Sequence, residues 1–171
     1  MRILIYGFGP YRHYNENVTE QIVRRLPGRR WLKKLIFPVR FHKGQFIRAI
    51  KQHQPDVILG LGQCSRGRHL RVERRAVNKR REYRGEKPRP IVSTGARKLF
   101  TNLDLKLRGQ TTSSVDAGEY VCNYSMYVVL HFVKRRRSPA RFGFIHVPHD
   151  YPPSKAARLL LATLEKIKSA R

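Results

Sequence analysis

The sequence predicts an α/β fold, and three observations carry that prediction. Apolar runs of strand character alternate with amphipathic stretches of helical period along most of the chain. One run, "DVILGLG", is apolar almost throughout, the mark of a central strand buried on both faces. Proline and glycine punctuate the segments where a helix or strand must stop.

Taken in order, residues 2–7 ("RILIYG") read as a first strand ending in a turn. "TEQIVRRL", from about Thr19 to Leu26, turns Ile22, Val23 and Leu26 inward as a helix stopped by Pro27-Gly28. "LKKLIFPV" is a second strand. "GQFIRAIKQHQ" spaces Phe46, Ile47 and Ile50 along a helix face that Pro55 closes. After the central strand, "HLRVERRAVN" reads as a strand or an irregular extended piece. Residues 79–91 are too charged and proline-rich for a core element and read as a basic loop, and "FTNLDLKLRG" reads as holding a short helix. "EYVCNYSMYVVLHFVKRR" is a long helix whose apolar residues wrap most of its circumference. "RFGFIHVP" is a final strand and "PSKAARLLLATLEKIKSA" a closing amphipathic helix. No repeat or long linker divides the chain, so residues 1–171 are expected to form a single domain.

Composition narrows the function classes. The N-terminus does not resemble a signal peptide, and no apolar stretch approaches the roughly 20 residues of a membrane span, so no membrane partner is expected. The two cysteines, Cys64 and Cys122, make no disulfide framework, and no Cys/His spacing suggests a metal site. A reducing, cytoplasmic setting fits and would leave Cys122 a free thiol; Cys64 reads as a packing residue. Thirty-seven Lys and Arg against eleven Asp and Glu give a net charge of +26, which favours nonspecific contact with polyanions such as nucleic acid. These cations are spread over "GRRWLKK", "RGRHLRVERR", "NKRREYRGEKPR" and "KRRRSPAR", with no helix-turn-helix or RNA-reading signature among them.

Three residues suggest chemistry. Asp116-Ala-Gly-Glu119 has the spacing of a capping box, which predicts a helix start near Ala117 and puts Cys122 within two turns of a positive dipole end. A nucleophilic thiol needs a base, and His146 lies near the C-terminal end of a strand, where open α/β sheets gather their chemistry. Glu73 in "RVERRAVN" is an acid that could orient the imidazole. Singly, each has a plainer reading: Cys122 and His146 as core residues, Glu73 as the surface partner of Arg71, Arg74 or Arg75.

Together, "VERRAVN", "AGEYVCNYSMY" and "GFIHVP", in that order, resemble the active-site segments of the pyroglutamyl peptidase type I family of cysteine peptidases. The opening "ILIYGFGPY" with "NENVT", and the strand "QPDVILGLGQ", resemble that family's first loop and central strand. The resemblance implies a three-layer α/β/α sandwich around a twisted mixed, mostly parallel sheet. It implies Cys122 as nucleophile, His146 as general acid/base and Glu73 as the residue fixing the imidazole. The substrate would be a peptide blocked by N-terminal pyroglutamate, cleaved through a thioester, with no metal or cofactor. Phe8 and Tyr11 would flank the lactam; Asn17, Gln63, Tyr120 and Val121 match other pocket positions; and a homo-oligomer is common in the family.

The sequence departs from the family pattern in several places. Arg12-His13 stand where Gly-Gly is usual, and Val18 replaces a proline. "KRREYRGEKPRP" replaces a segment that helps complete the site, with Tyr83 at the position of an arginine and other arginines adjacent. The chain is also shorter than typical members. These departures leave two alternatives: a related amide hydrolase of altered specificity, or a non-catalytic basic nucleic-acid-binding protein on the same scaffold.

Overall fold

The computed structural model describes residues 1–11, 15–65, 67–107, 109 and 111–170, so the Arg12-His13 departure lies outside the described residues. Its elements are β1 (Ile3–Phe8), α1 (Val18–Arg25), β2 (Leu32–Phe37), α2 (Lys43–His53), β3 (Val57–Cys64), β4 (Leu70–Glu73), β5 (Arg75–Val77), β6 (Lys98–Phe100), β7 (Thr111–Ser114), α3 (Val121–Arg135), β8 (Arg141–Pro148) and α4 (Pro153–Ser169).

Six strands form one sheet in the order β2-β1-β3-β8-β4-β7. The first four run parallel, β4 is antiparallel to β8, and β7 is parallel to β4, so the sheet is mixed and mostly parallel. Alternation along the strands splits the apolar side chains between two cores. Tyr6, Ile58, Phe142 and Phe144 face α2 and α3, whereas Ile5, Leu59, Ile145 and Val147 face α1 and α4. Two helices on each face make the sandwich of three layers. The central position of β3 explains its apolar run, since Val57 through Gly62 are all buried.

Local chemistry sets the helix limits. Asn17 caps α1, its Oδ1 accepting from Thr19 N–H at 3.0 Å. α2 ends on Gln54 in a left-handed conformation (φ 42°), directly before Pro55.

Two expectations fail. Residues 100–107 hold no helix: β6 ends at Phe100, and the segment beyond it runs extended, with Leu103 and Leu105 buried against β8. The i, i+2 spacing of those leucines is a strand-like period, and both Asn102 and Leu103 N–H groups donate to Phe142 C=O, at 3.2 and 3.1 Å. The predicted capping box does not form either. Asp116 Oδ1 instead accepts from Gly118 N–H at 3.0 Å, Gly118 turns left-handed (φ +75°), and Glu119 pairs with Arg81. The helix therefore starts later, at Val121 with Tyr120 as N-cap. The edge strand β7 leaves no mark in the sequence, because "TTSS" is polar and lies at the sheet edge with no apolar alternation to reveal it.

The charged stretch 79–91 holds no helix and no strand. It carries an isolated bridge between Arg80 and Arg89 and ion pairs Arg80–Glu82 at 2.7 Å and Arg89–Glu86 at 2.5 Å. Asn78 anchors the return of this chain segment, its Oδ1 accepting from Ile91 and Val92 N–H at 2.8 and 2.9 Å. Among the described residues, no helix is long and apolar enough to cross a membrane.

Candidate active site

The site is built where three strand ends meet the start of a helix. The antiparallel register of β4 and β8 sets Arg71 opposite His146 and Glu73 opposite Phe144. This turns Arg71, Glu73 and His146 toward the face covered by α3. β8 lies beside β3 with His146 opposite Gly62.

Gly62 is required by what covers it: a Cβ there would stand 2.6 Å from Cys122 Sγ and 2.8 Å from the Phe144 ring. The thiol rests in the space that the missing side chain leaves. With the helix starting at Val121, Cys122 is its second residue, nearer the positive end than the sequence suggested. α3 also opens without a side-chain cap, and its first backbone bond runs from Tyr124 N–H to Tyr120 C=O. The N–H groups of the first turn are thus oriented as anion donors beside the sulfur.

The three predicted catalytic side chains come together. His146 Nδ1 lies 2.7 Å from Glu73 Oε1, and the Cys122 sulfur is close enough to the same imidazole to act on its charge. Glu73 is fully buried and His146 is 4% exposed, so this contact is shielded from water. Burial pulls the His146 pKa down, but the sulfur and the Glu73 carboxylate outweigh it and raise the imidazole to about 9. For Glu73, burial pushes the pKa up, yet hydrogen bonds from His146 and Arg71 and the charge of His146 hold it below the ordinary carboxylate value. At neutral pH the pair is carboxylate and imidazolium.

Arg71, read earlier only as a surface partner for Glu73, is part of this cluster. Its Nε donates to Glu73 Oε1 at 2.7 Å, and its Nη2 stands 3.3 Å from His146 Nδ1. The plain pairing and the orienting contact are therefore made by the same buried carboxylate.

A cavity of about 430 Å³ opens beside Cys122. All six pocket residues inferred from sequence line it: Phe8 at the end of β1, Tyr11 and Asn17 in the following loop, Gln63 on β3, and Tyr120 and Val121 at the head of α3. Two of them serve the loop as well as the wall. Asn17 Nδ2 donates to Gly9 C=O at 3.0 Å, and Gln63 Oε1 accepts from Val18 N–H at 2.8 Å. The second bond explains one departure, since the N–H that a proline would lack at position 18 is satisfied by Gln63.

Sequence reasoning missed Val39, Phe41, Ser65 and Arg84, which complete the lining. Val39 and Phe41 follow the C-terminal end of β2, a place where parallel sheets bind ligands, and that position was the available signal. Among the described residues, Arg84 is the one charged side chain in the lining, whereas Tyr83 beside it is 60% exposed and is not among the lining residues. Neither cysteine is in a disulfide, and Cys64 is outside the lining. No group of His, Cys, Asp and Glu suited to a metal ion occurs among the described residues.

A thiol beside an imidazole that a buried carboxylate holds, at the rim of an α/β/α sheet, defines the class of cysteine-type hydrolases. Within that class the particular assignment follows from comparison: a family model described as pyroglutamyl peptidase matches residues 1–160, and the chain belongs to that family of cysteine-type omega-peptidases. The chain is 30% identical over 168 residues to a pyrrolidone-carboxylate peptidase of Alkaliphilus oremlandii, covering 87% of this chain and 79% of that protein. It is 32% identical over 183 residues to pyrrolidone-carboxylate peptidase 1 of Saccharolobus solfataricus, covering 93% and 83%. The structure superposes on pyrrolidone carboxyl peptidase from Pyrococcus furiosus with a TM-score of 0.80 at 25% identity, covering 98% of this chain and all of that one.

Proposed function

We propose that this protein releases N-terminal pyroglutamate from peptides, with Cys122, His146 and Glu73 as its catalytic residues. The observation that carries the reading is the convergence of thiol, imidazole and buried carboxylate on one wall of a largely apolar pocket. A small, neutral lactam suits such walls, with Phe8 and Tyr11 positioned to flank its ring and backbone groups near Gln63 to receive its polar edge.

The reaction follows from the charges. The Cys122 sulfur attacks the carbonyl that follows the lactam ring, forming a C–S bond. The carbonyl oxygen becomes negative and is stabilised by N–H groups in the first turn of α3. His146 gives its proton to the departing amine as the C–N bond breaks, leaving a thioester on Cys122. A water molecule, deprotonated by the now neutral His146, then attacks the thioester. Cleavage of the C–S bond releases pyroglutamate and restores the ion pair. Glu73 holds the Nδ1–H orientation throughout and stabilises the cationic ring.

A cytoplasmic setting is part of the proposal, because the mechanism needs a reduced thiol and neither cysteine is disulfide-bonded. Self-association, expected from the family resemblance, is proposed on that ground alone. The test of function is turnover of a fluorogenic pyroglutamyl amide by the wild type and by Cys122→Ser. Turnover confined to the wild type supports the reading. Equal rates in both proteins, or no turnover by a folded wild type, overturn it.

A further inference from the structure

At the opposite end of the sheet, a second cavity of about 300 Å³ is lined by Arg2, Arg29, Arg30, Trp31, Lys33 and His53. It sits where β1 and β2 begin and where the chain enters β3, so the parallel strands separate it from the catalytic rim by their full length. The basic run "GRRWLKK" supplies four of these residues, and the fold adds Arg2 and His53 to them.

Among the described residues, the cations here lack counterions. None of the eleven Asp and Glu side chains lines the cavity, and none of Arg2, Arg29, Arg30 and Lys33 pairs with a carboxylate among the described residues. Asp56, close in sequence, accepts from the backbone N–H of Arg2 at 2.5 Å and lies 4.0 Å from the N-terminal ammonium. Elsewhere the chain does pair its arginines, as at Arg24–Glu20 and Arg81–Glu119. Lys168 adds a further positive charge at the rim, its Nζ 5.5 Å from the centre of the Trp31 ring. Crowding is visible at His53, whose pKa is lowered by burial and then by Lys33.

The frame that holds these side chains is fixed. Leu32 N–H donates to Arg29 C=O at 3.0 Å, closing a tight turn, and Ile3 N–H donates to Trp31 C=O at 2.8 Å, tying that turn to β1. Like charges held in a concave site repel one another and focus a positive potential, which a multivalent anion relieves. Guanidinium forks match pairs of phosphate oxygens in geometry as well as charge. The volume is at the small end of the range for small-molecule sites, enough for a phosphate group with its immediate neighbours.

We propose that the cavity around Trp31 binds phosphate-bearing anions, either the phosphates of a free nucleotide-like ligand or those of a nucleic-acid strand. The site is independent of the peptidase reading and stands whether or not that reading holds. It gives a local meaning to a charge of +26 that hydrolysis of a neutral lactam does not require.

Trp31 is the only tryptophan in the chain, so its fluorescence reports on this cavity directly. The experiment titrates two probes, inorganic tripolyphosphate and a short single-stranded oligonucleotide, into three proteins. These are the wild type, the triple variant Arg29→Gln/Arg30→Gln/Lys33→Gln, and a control of equal charge change, Arg135→Gln/Arg136→Gln/Arg137→Gln. The cavity triple should bind at least about tenfold more weakly while the control changes less than about twofold, and for the oligonucleotide the slope of log K against log salt should become shallower by about 2, as three lost contacts require. Saturable binding of tripolyphosphate identifies the small anion as sufficient; cavity-dependent binding of the oligonucleotide alone assigns the site to a strand. Equal weakening in the two triples, or no change in Trp31 fluorescence with either probe at low salt, overturns the proposal. Arg30→Gln alone, at an exposed position, repeats the test should the triple fail to fold.

Discussion

The two ends of the sheet treat charge in opposite ways. At the C-terminal rim, Arg71 and His146 both meet the Glu73 carboxylate under cover, each cation 2.7 Å from the opposite charge. At the N-terminal end, the cations around Trp31 face a cavity in whose wall the described residues place no carboxylate. The first arrangement fixes a protonation state and so sets up chemistry. The second fixes nothing by itself and is completed by an anion from outside. Net charge alone does not distinguish these cases; the pairing of each cation does.

That contrast can be broken most severely at Cys122. Replacing it with Ser should lower kcat for a pyroglutamyl amide by about 10³-fold or more, since a hydroxyl is a far weaker nucleophile than sulfur in the same place. Glu73→Gln keeps the shape but removes the charge that steadies the imidazolium, so kcat should drop by about 10²–10⁴-fold. The pH profile sharpens the point. His146 must be protonated to release the amine, and its raised pKa keeps it so until pH rises through about 9. Without the Glu73 carboxylate that pKa falls, and the alkaline limb of kcat should move to lower pH. An unmoved limb would mean that Glu73 acts through packing alone.

Stability should follow the same groups. Because the folded His146 titrates above its ordinary 6.5, its contribution is fully present below 6.5 and lost as pH rises through about 9. Glu73 is depressed, so its contribution is present above the ordinary carboxylate range and lost as pH falls below it. Thermal unfolding of the wild type should show both declines, and Glu73→Gln should flatten the acid one.

Smaller effects test the surroundings. Gly62→Ala forces a methyl group against the sulfur, so kcat should drop by about 10²-fold with KM little changed, a loss of alignment rather than of binding. Arg84→Gln removes the only charge that the described residues bring to the pocket lining. The lactam is neutral, so KM for a pyroglutamyl amide should change by no more than about threefold. A loss of kcat comparable to that of Glu73→Gln would instead place Arg84 at the reacting carbonyl.

How much of this was legible in the sequence varies with the range of the interaction. The main strands and helices were readable because their apolar periods are local and strong, as in "DVILGLG" and "GQFIRAIKQHQ". Thr111–Ser114 was not, since an exposed edge strand needs no apolar alternation. The start of α3 was misplaced because Asp116 and Glu119 have the spacing of a cap, while Gly118 and the distant Arg81 decide the backbone. Glu73, His146 and Cys122 could be named from their segments, but the seat that Gly62 gives the sulfur depends on β3 lying under α3. Phe41 and Arg84 enter the pocket from loops whose paths no local rule determines. In the same way "GRRWLKK" was visible as a basic run, yet only folding brings Arg2 and His53 to it.

The central claim, a thioester formed on one sulfur, is tested most directly by mass spectrometry of protein quenched during turnover of a pyroglutamyl amide. The account predicts one pyroglutamyl acyl group on the wild type, located to the peptide containing Cys122 and absent from Cys122→Ala. Undiminished turnover by Cys122→Ala, or an acyl group found on Cys64 instead, would contradict it.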